Sequence, residues 1–298
     1  MTEKSKRAPF YIFKICSATL TSWKMDNGAP MQEEDLKALR NAVEALEHPG
    51  LAARLSNLFG KPIGMIRGAL PAGASESIAA ATTKGLNAAL TVALRTMRGQ
   101  THSASPLLHK SMSAVSGAIG GGFGLVALPL ELPLSTIIML RSIMQIARSQ
   151  GEEIENPETA LSCLQVFALG ARTGEGDVLG NGYFAVRATL AKTLTEAGRF
   201  IAERGIVAEG APVIVRFISQ IASRFGMVVT QKLAAQTLPL IGALGGAAVN
   251  YTFITHFQKI AQAHFTVRRL ERICGKELVR TQYETIRDEL VGEREFAA

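Results

Sequence analysis

The chain has 298 residues, 47% of them hydrophobic and 19% charged, with a net charge of +7 and a mean hydropathy of +0.18. That length supports a sizeable core, and the low charge with high aliphatic content excludes a largely disordered chain. Aromatic residues make up only 6%, while Ala, Gly and Leu abound, a stock that suits closely packed helices rather than a sheet sandwich.

In chain order, Lys4, Lys6 and Arg7 precede FYIFKICSATLTSW. Lys14 interrupts the apolar run and no small-residue cleavage site follows, so a cleaved signal is not expected. Residues 1–30 are instead a candidate interfacial anchor, with Phe10, Tyr11, Phe13 and Trp23 at headgroup depth. A terminal segment docked on the protein itself fits them equally. Residues 31–298 are read as a single helical domain.

Helix signals then recur along the whole chain. Leu36, Leu39, Val43 and Leu46 repeat at helical spacing, and His48-Pro49 opens a short second helix that Gly60 stops. Residues 75–98 read as an Ala-rich helix carrying Ile78, Leu86, Leu90, Leu94 and Met97. Ser105-Pro106 and Asn156-Pro157 each supply an N-cap and a first-turn proline, the second for a helix ending at Gly170. No alternating run is long enough for a strand. The expected fold class is all-α.

Two stretches are unusually apolar. Residues 111–130 carry no charge, and after Glu131 none follows until Arg141; residues 233–255, between Lys232 and His256, are also uncharged. Both reach the roughly 20 residues a membrane crossing needs. Their glycines and prolines (Pro129, Pro133 and Pro239 among them) suit close helix packing in lipid or in a core, or a hairpin that enters a membrane only part-way. The segments 111–150 and 233–274 are therefore the expected central helices of one bundle. The positive excess flanks them: residues 61–110 hold six basic and one acidic residue, and residues 211–264 hold four basic and none acidic. Such flanks fit an anionic lipid surface. The cations are dispersed and no aromatic stacking platform accompanies them, which argues against nucleic acid.

The wording of several blocks is specific. GGFGLVALPLELPLSTIIMLRSIMQIARSQGEE with NPETALSCLQVFALG, then TLPLIGALGGAAVNYTFITHFQKIAQAHFTVRRLER, resemble the central and C-terminal signatures of the bacterial EcsC protein family. LEHPGLAARLSNLFGKPI resembles the N-terminal part of its proteobacterial members, so the likeness spans about residues 40–285 in order. The resemblance implies a membrane-associated helical protein, with a transporter among its candidate partners. It implies no catalytic residue.

The residues themselves offer little chemistry. Gly122-x-Gly124-x-x-Ala127 has no preceding strand, the glycines of 170–182 lack a following GK[ST], and neither GxSxG nor HExxH occurs. Cys16, Cys163 and Cys274 are too few and too scattered for a disulfide framework, and no Cys/His cluster suggests a metal. No cofactor is expected. Four polar groups fall in apolar segments: Glu131, Asn250, His256 and His264. His264 lies on the stripe Phe253, Phe257, Ile260, His264, Val267, Leu270, Cys274 and reads as a core histidine, while His256, one step off it, is free to meet another helix. Arg141, Gln145, Arg148 and Glu152 read as the wet side of an amphipathic helix, and RRLERICGK (268–276) as a solvated face. Glu131 and Asn250, at matching places in the two stretches, are expected to approach each other or each to find a partner.

The expectation is a membrane-associated accessory protein on the cytoplasmic side of a bacterial inner membrane, peripheral or partly inserted. It would bind lipid or a membrane protein through its small-residue helices. Two alternatives stand beside it. One is a hydrolase acting on an amphipathic substrate with Glu131 as acid/base, the weaker because one isolated carboxylate motivates it; the other is a soluble scaffold that binds a partner through helix 265–295.

Overall fold

The computed structural model describes residues 31–47, 50–59, 74–97, 124–171, 182–204, 211–236 and 242–297. These form nine helices and no strand: α1 Glu33–Glu47, α2 Leu51–Phe59, α3 Ala74–Met97, α4 Gly124–Ser149, α5 Pro157–Leu169, α6 Tyr183–Arg204, α7 Pro212–Gln236, α8 Gly242–Cys274 and α9 Lys276–Ala297. The all-α expectation holds. The proposed N-terminal anchor (Phe10, Tyr11, Phe13, Trp23), the Ser105-Pro106 start and residues 111–123 lie outside the described residues.

Local chemistry explains the helix ends. Glu33, Glu34 and Asp35 place three acids on the first turn of α1, where the helix dipole favours them. Asn156 caps α5, its side chain accepting from the Glu158 amide at 2.8 Å, with Pro157 pre-set for the first turn. Gly151 (φ 76°) turns the chain from α4 towards α5, and Gly275 (φ 91°) turns it from α8 into α9.

The 33-residue α8 is the axis of the bundle and packs against α1, α2, α4, α5, α7 and α9. Its expected stripe from Phe253 to Cys274 is buried throughout. The short α5 is buried beyond its first two residues, every residue from Thr159 to Leu169 lying between α3, α4, α6, α7 and α8. Phe167 of α5, Phe225 of α7 and Phe253 and Phe257 of α8 interlock there, with ring centroids 4.8–6.2 Å apart in tilted and edge-on pairs.

α4 is a single helix through Pro129 and Pro133, with no hairpin break in its described residues. The prolines stand four apart, so the donor missing at Pro133 is the one the Pro129 carbonyl would have used. Just beyond, Ser135 and Thr136 hydroxyls both donate to the Leu132 carbonyl, at 3.1 and 2.6 Å. α3 packs against this region at Gly85, where a β-carbon would sit 3.0 Å from Thr136 Oγ1. Small residues thus bring α3 and α4 together.

α4 and α8 run side by side in the same direction. Gln258 donates to Ser142, and ten or more residues further along each chain Arg268 and Arg272 reach Glu152. The N-terminal ends of both helices and the C-terminal end of α7 therefore share one end of the bundle.

Candidate functional site

Glu131 is the only charged residue between Lys110 and Arg141, and Lys232 the only one between Arg224 and Lys259. The structure pairs them: Lys232 Nζ donates to Glu131 Oε1 at 2.9 Å, with the lysine side chain 3% and the glutamate 15% exposed. The ammonium also lies 4.8 Å from the centre of the Phe253 ring. Glu131 thus meets Lys232 of α7 rather than Asn250, whose Oδ1 is buried without a hydrogen-bond partner. Leu130 and Tyr251, 80% and 73% exposed, stand outward at the same end.

His256 meets another helix, as its position allows. Its Nε2 lies 2.7 Å from the carbonyl oxygen of Gly170 at the end of α5. A carbonyl can only accept, so Nε2 carries the proton, and Nδ1 is left buried without a partner. Burial pushes this imidazole down to about 4, and it is neutral at physiological pH.

His264 is the core histidine that the stripe implies, but it sits in a polar chain. Arg187 Nη1 donates to the Tyr183 hydroxyl (3.2 Å), so the tyrosine proton is directed at His264 Nδ1 (2.9 Å). Arg187 in turn forks onto both carboxylate oxygens of Glu271, at 2.7 and 3.0 Å. Burial first, then the Arg187 and Arg268 charges, hold His264 well below the usual histidine range. Burial likewise raises the Tyr183 hydroxyl, against the pull of Arg187. Tyr183 stacks on Tyr283, whose hydroxyl donates to Glu47 at 2.7 Å and so ties α6, α9 and α1 together.

A second polar cluster corrects two expectations. Glu152 does not extend a wet face: it lies just past α4, buried, gripped by both Nε and Nη2 of Arg268 at 2.9 Å and by Arg272. Burial would raise its carboxyl, yet the hydrogen bonds and charges of the two arginines outweigh it and hold it below the ordinary value. Arg268 also donates to Ser162 of α5 at 3.2 Å. Segment 268–276 is therefore no simple solvated face, since Arg268 and Glu271 turn inward. The sequence held a signal for this, because Arg268 and Glu271 stand four and seven residues after His264 and continue its inward face.

These clusters are structural in form. Every buried acid named here is met by a cation or a hydroxyl, and among the described residues no three His, Cys, Asp or Glu side chains converge to hold a metal. Burial raises the Cys163 thiol, so it is no nucleophile. The grooves among the described residues include one of about 450 Å³ between α4 and α8, and one of about 180 Å³ between α3 and α7 lined by Thr83, Asn87, Leu90, Val215, Ile218 and Ser219. Neither is lined by Glu131, Tyr183, His256 or His264.

Among the described residues, two helical segments, Pro129–Ser149 and Pro212–Gln236, are long and apolar enough to cross a membrane. The first falls within the expected 111–150 stretch. The second precedes and overlaps the expected 233–255 stretch, which takes in the end of α7, residues 237–241 outside the described set and the start of α8. No curated protein and no solved structure matches the chain. A family model does match, over residues 33–270, and the chain belongs to the EcsC protein family.

Proposed function

We propose that this is a membrane-associated accessory protein acting at the cytoplasmic face of a bacterial inner membrane, where it engages lipid or a membrane-protein partner through α4 and α7. The observation that carries this reading is the Glu131–Lys232 pair. Each is the sole charge in a long apolar stretch, and each cancels the other, so neither stands unpaired in its apolar surrounding. Leu130 and Tyr251 stand exposed beside it. Only 44% of the first span-length stretch and 39% of the second is buried, so neither is a fully enclosed core helix.

Fractionation of the full chain tests this. Carbonate-resistant retention with membranes is the expected outcome, and release by low salt alone refutes insertion. The hydrolase reading gains no support, because the Glu131 carboxylate is held by Lys232 and faces neither groove. The scaffold reading is left with the outer face of α9, whose inner face packs on α1 through Tyr283–Glu47 and through Arg40 with Glu289 and Glu293.

A further inference from the structure

The groove between α4 and α8 has an unusual lining. Ser142, Gln145 and Ser149 follow one another at i, i+3 and i+7 on α4, facing Thr255, Gln258 and Gln262 with the same spacing on α8. Because the helices run in parallel, the two rows stand opposite each other along the groove, over the half-buried side chain of Ile146. Exposed helix faces elsewhere in this protein carry acid–base pairs such as Glu33–Lys37, Arg199–Glu203 and Arg280–Glu284. Here no acid lines the walls. Lys259 stands at the rim, and Arg141 lies one turn before Gln145 on α4; neither forms an ion pair among the described residues.

We propose that this groove binds a phosphorylated polyol. Amide and hydroxyl side chains both donate and accept, as the hydroxyls of a polyol do, so two opposed rows of them match vicinal hydroxyls without fixing one donor pattern. Gln258 Nε2 already donates to Ser142 Oγ at 2.9 Å, which orients both groups and leaves the Gln258 carbonyl oxygen and the Ser142 hydroxyl proton for a ligand. Lys259, in the lining itself, supplies the charge for one phosphate ester. The groove is open to solvent along its length and its volume of about 450 Å³ has room for a small headgroup. The same chemistry exists in the headgroup of a glycerol-bearing anionic lipid and in a free polyol phosphate. The lipid source rests on the membrane reading above; the groove does not.

The test uses the full chain in two arms. In the first, co-sedimentation compares phosphatidylcholine vesicles containing equal fractions of phosphatidylglycerol or phosphatidylserine, which carry the same net charge but differ in the diol. In the second, calorimetry compares glycerol 3-phosphate with inorganic phosphate. The expected result is a preference for the polyol, reduced about tenfold in a Gln145→Ala/Gln262→Ala chain, the scale of two lost neutral hydrogen bonds. Both positions are exposed and alanine is a strong helix former, so the variant folds, which its thermal melt verifies. Lys259→Gln should weaken binding of either anion without altering the preference. Polyol preference in the free-ligand arm without vesicle binding upholds the groove and counts against the membrane reading. No polyol preference in either arm, or a preference that survives the double alanine change, overturns the proposal.

Discussion

Lys232 reaches Glu131 across 101 residues of sequence and closes a 2.9 Å ion pair between α7 and α4. The lysine is almost wholly enclosed and the ring of Phe253 lies beneath its ammonium, so neither charge can be removed without consequence for the other.

Replacing Lys232 by Met should destabilise the fold by about 2–4 kcal/mol, because it strands the carboxylate in an apolar setting. Glu131→Gln should cost less, since the amide oxygen still accepts from the ammonium. The combined Glu131→Leu/Lys232→Met chain should recover most of the loss. Denaturant midpoints of the parent chain, Glu131→Leu, Lys232→Met and the combined chain form a double-mutant cycle, and additive effects would show that the two side chains are not coupled.

The Glu152 cluster gives a contrast between buried and exposed pairs. Glu152→Gln leaves Arg268 and Arg272 without their shared carboxylate and should cost about 2–4 kcal/mol. Glu155→Gln removes an exposed pairing with Arg148 and should change stability by no more than about 0.5 kcal/mol. Equal losses from the two changes would contradict the burial of Glu152.

Acid should unfold the protein through its two core histidines. Both are held below 6.5 in the folded state, His256 at about 4, so between those values the unfolded chain binds more protons than the native one. Stability is therefore full above about pH 6.5 and falls as pH drops towards 4, by up to about 1.4 kcal/mol per pH unit per histidine. Glutamine at position 256 can keep the donation to Gly170 without taking up a proton. The His256→Gln chain should thus show a flatter acid limb in denaturation measured from pH 7 to 4, and an unchanged limb would rule out this origin.

Two glycine-to-alanine changes should have opposite outcomes. At Gly170 an added β-carbon would meet Phe257 Cε1 at 2.5 Å, and that ring is locked among Phe167, Phe225 and Phe253, so a loss of about 1–3 kcal/mol is expected. At Gly198, inside α6, the nearest atom is the Cγ of the exposed Glu158 at 2.8 Å, which can swing away. Helix propensity then makes Gly198→Ala neutral or stabilising by up to about 1 kcal/mol. Thermal melts separate the two.

Sequence by itself determined the all-α class, the helices around Leu36–Leu46 and residues 75–98, the cap at Asn156, the inward stripe of α8 and the family, because helical periodicity and turn chemistry are local properties of the chain. It also marked Glu131, His256 and His264 as polar groups in apolar surroundings. Only the tertiary structure decided their partners: Lys232 for Glu131, the Gly170 carbonyl for His256, and the Tyr183–Arg187–Glu271 chain for His264. Periodicity tells which side of a helix is apolar, not which helix will cover it. For the same reason Glu152 and Arg268 read as solvated when taken alone: a charge at the edge of an apolar stripe turns inward only if an opposite charge, here 116 residues away, is waiting there.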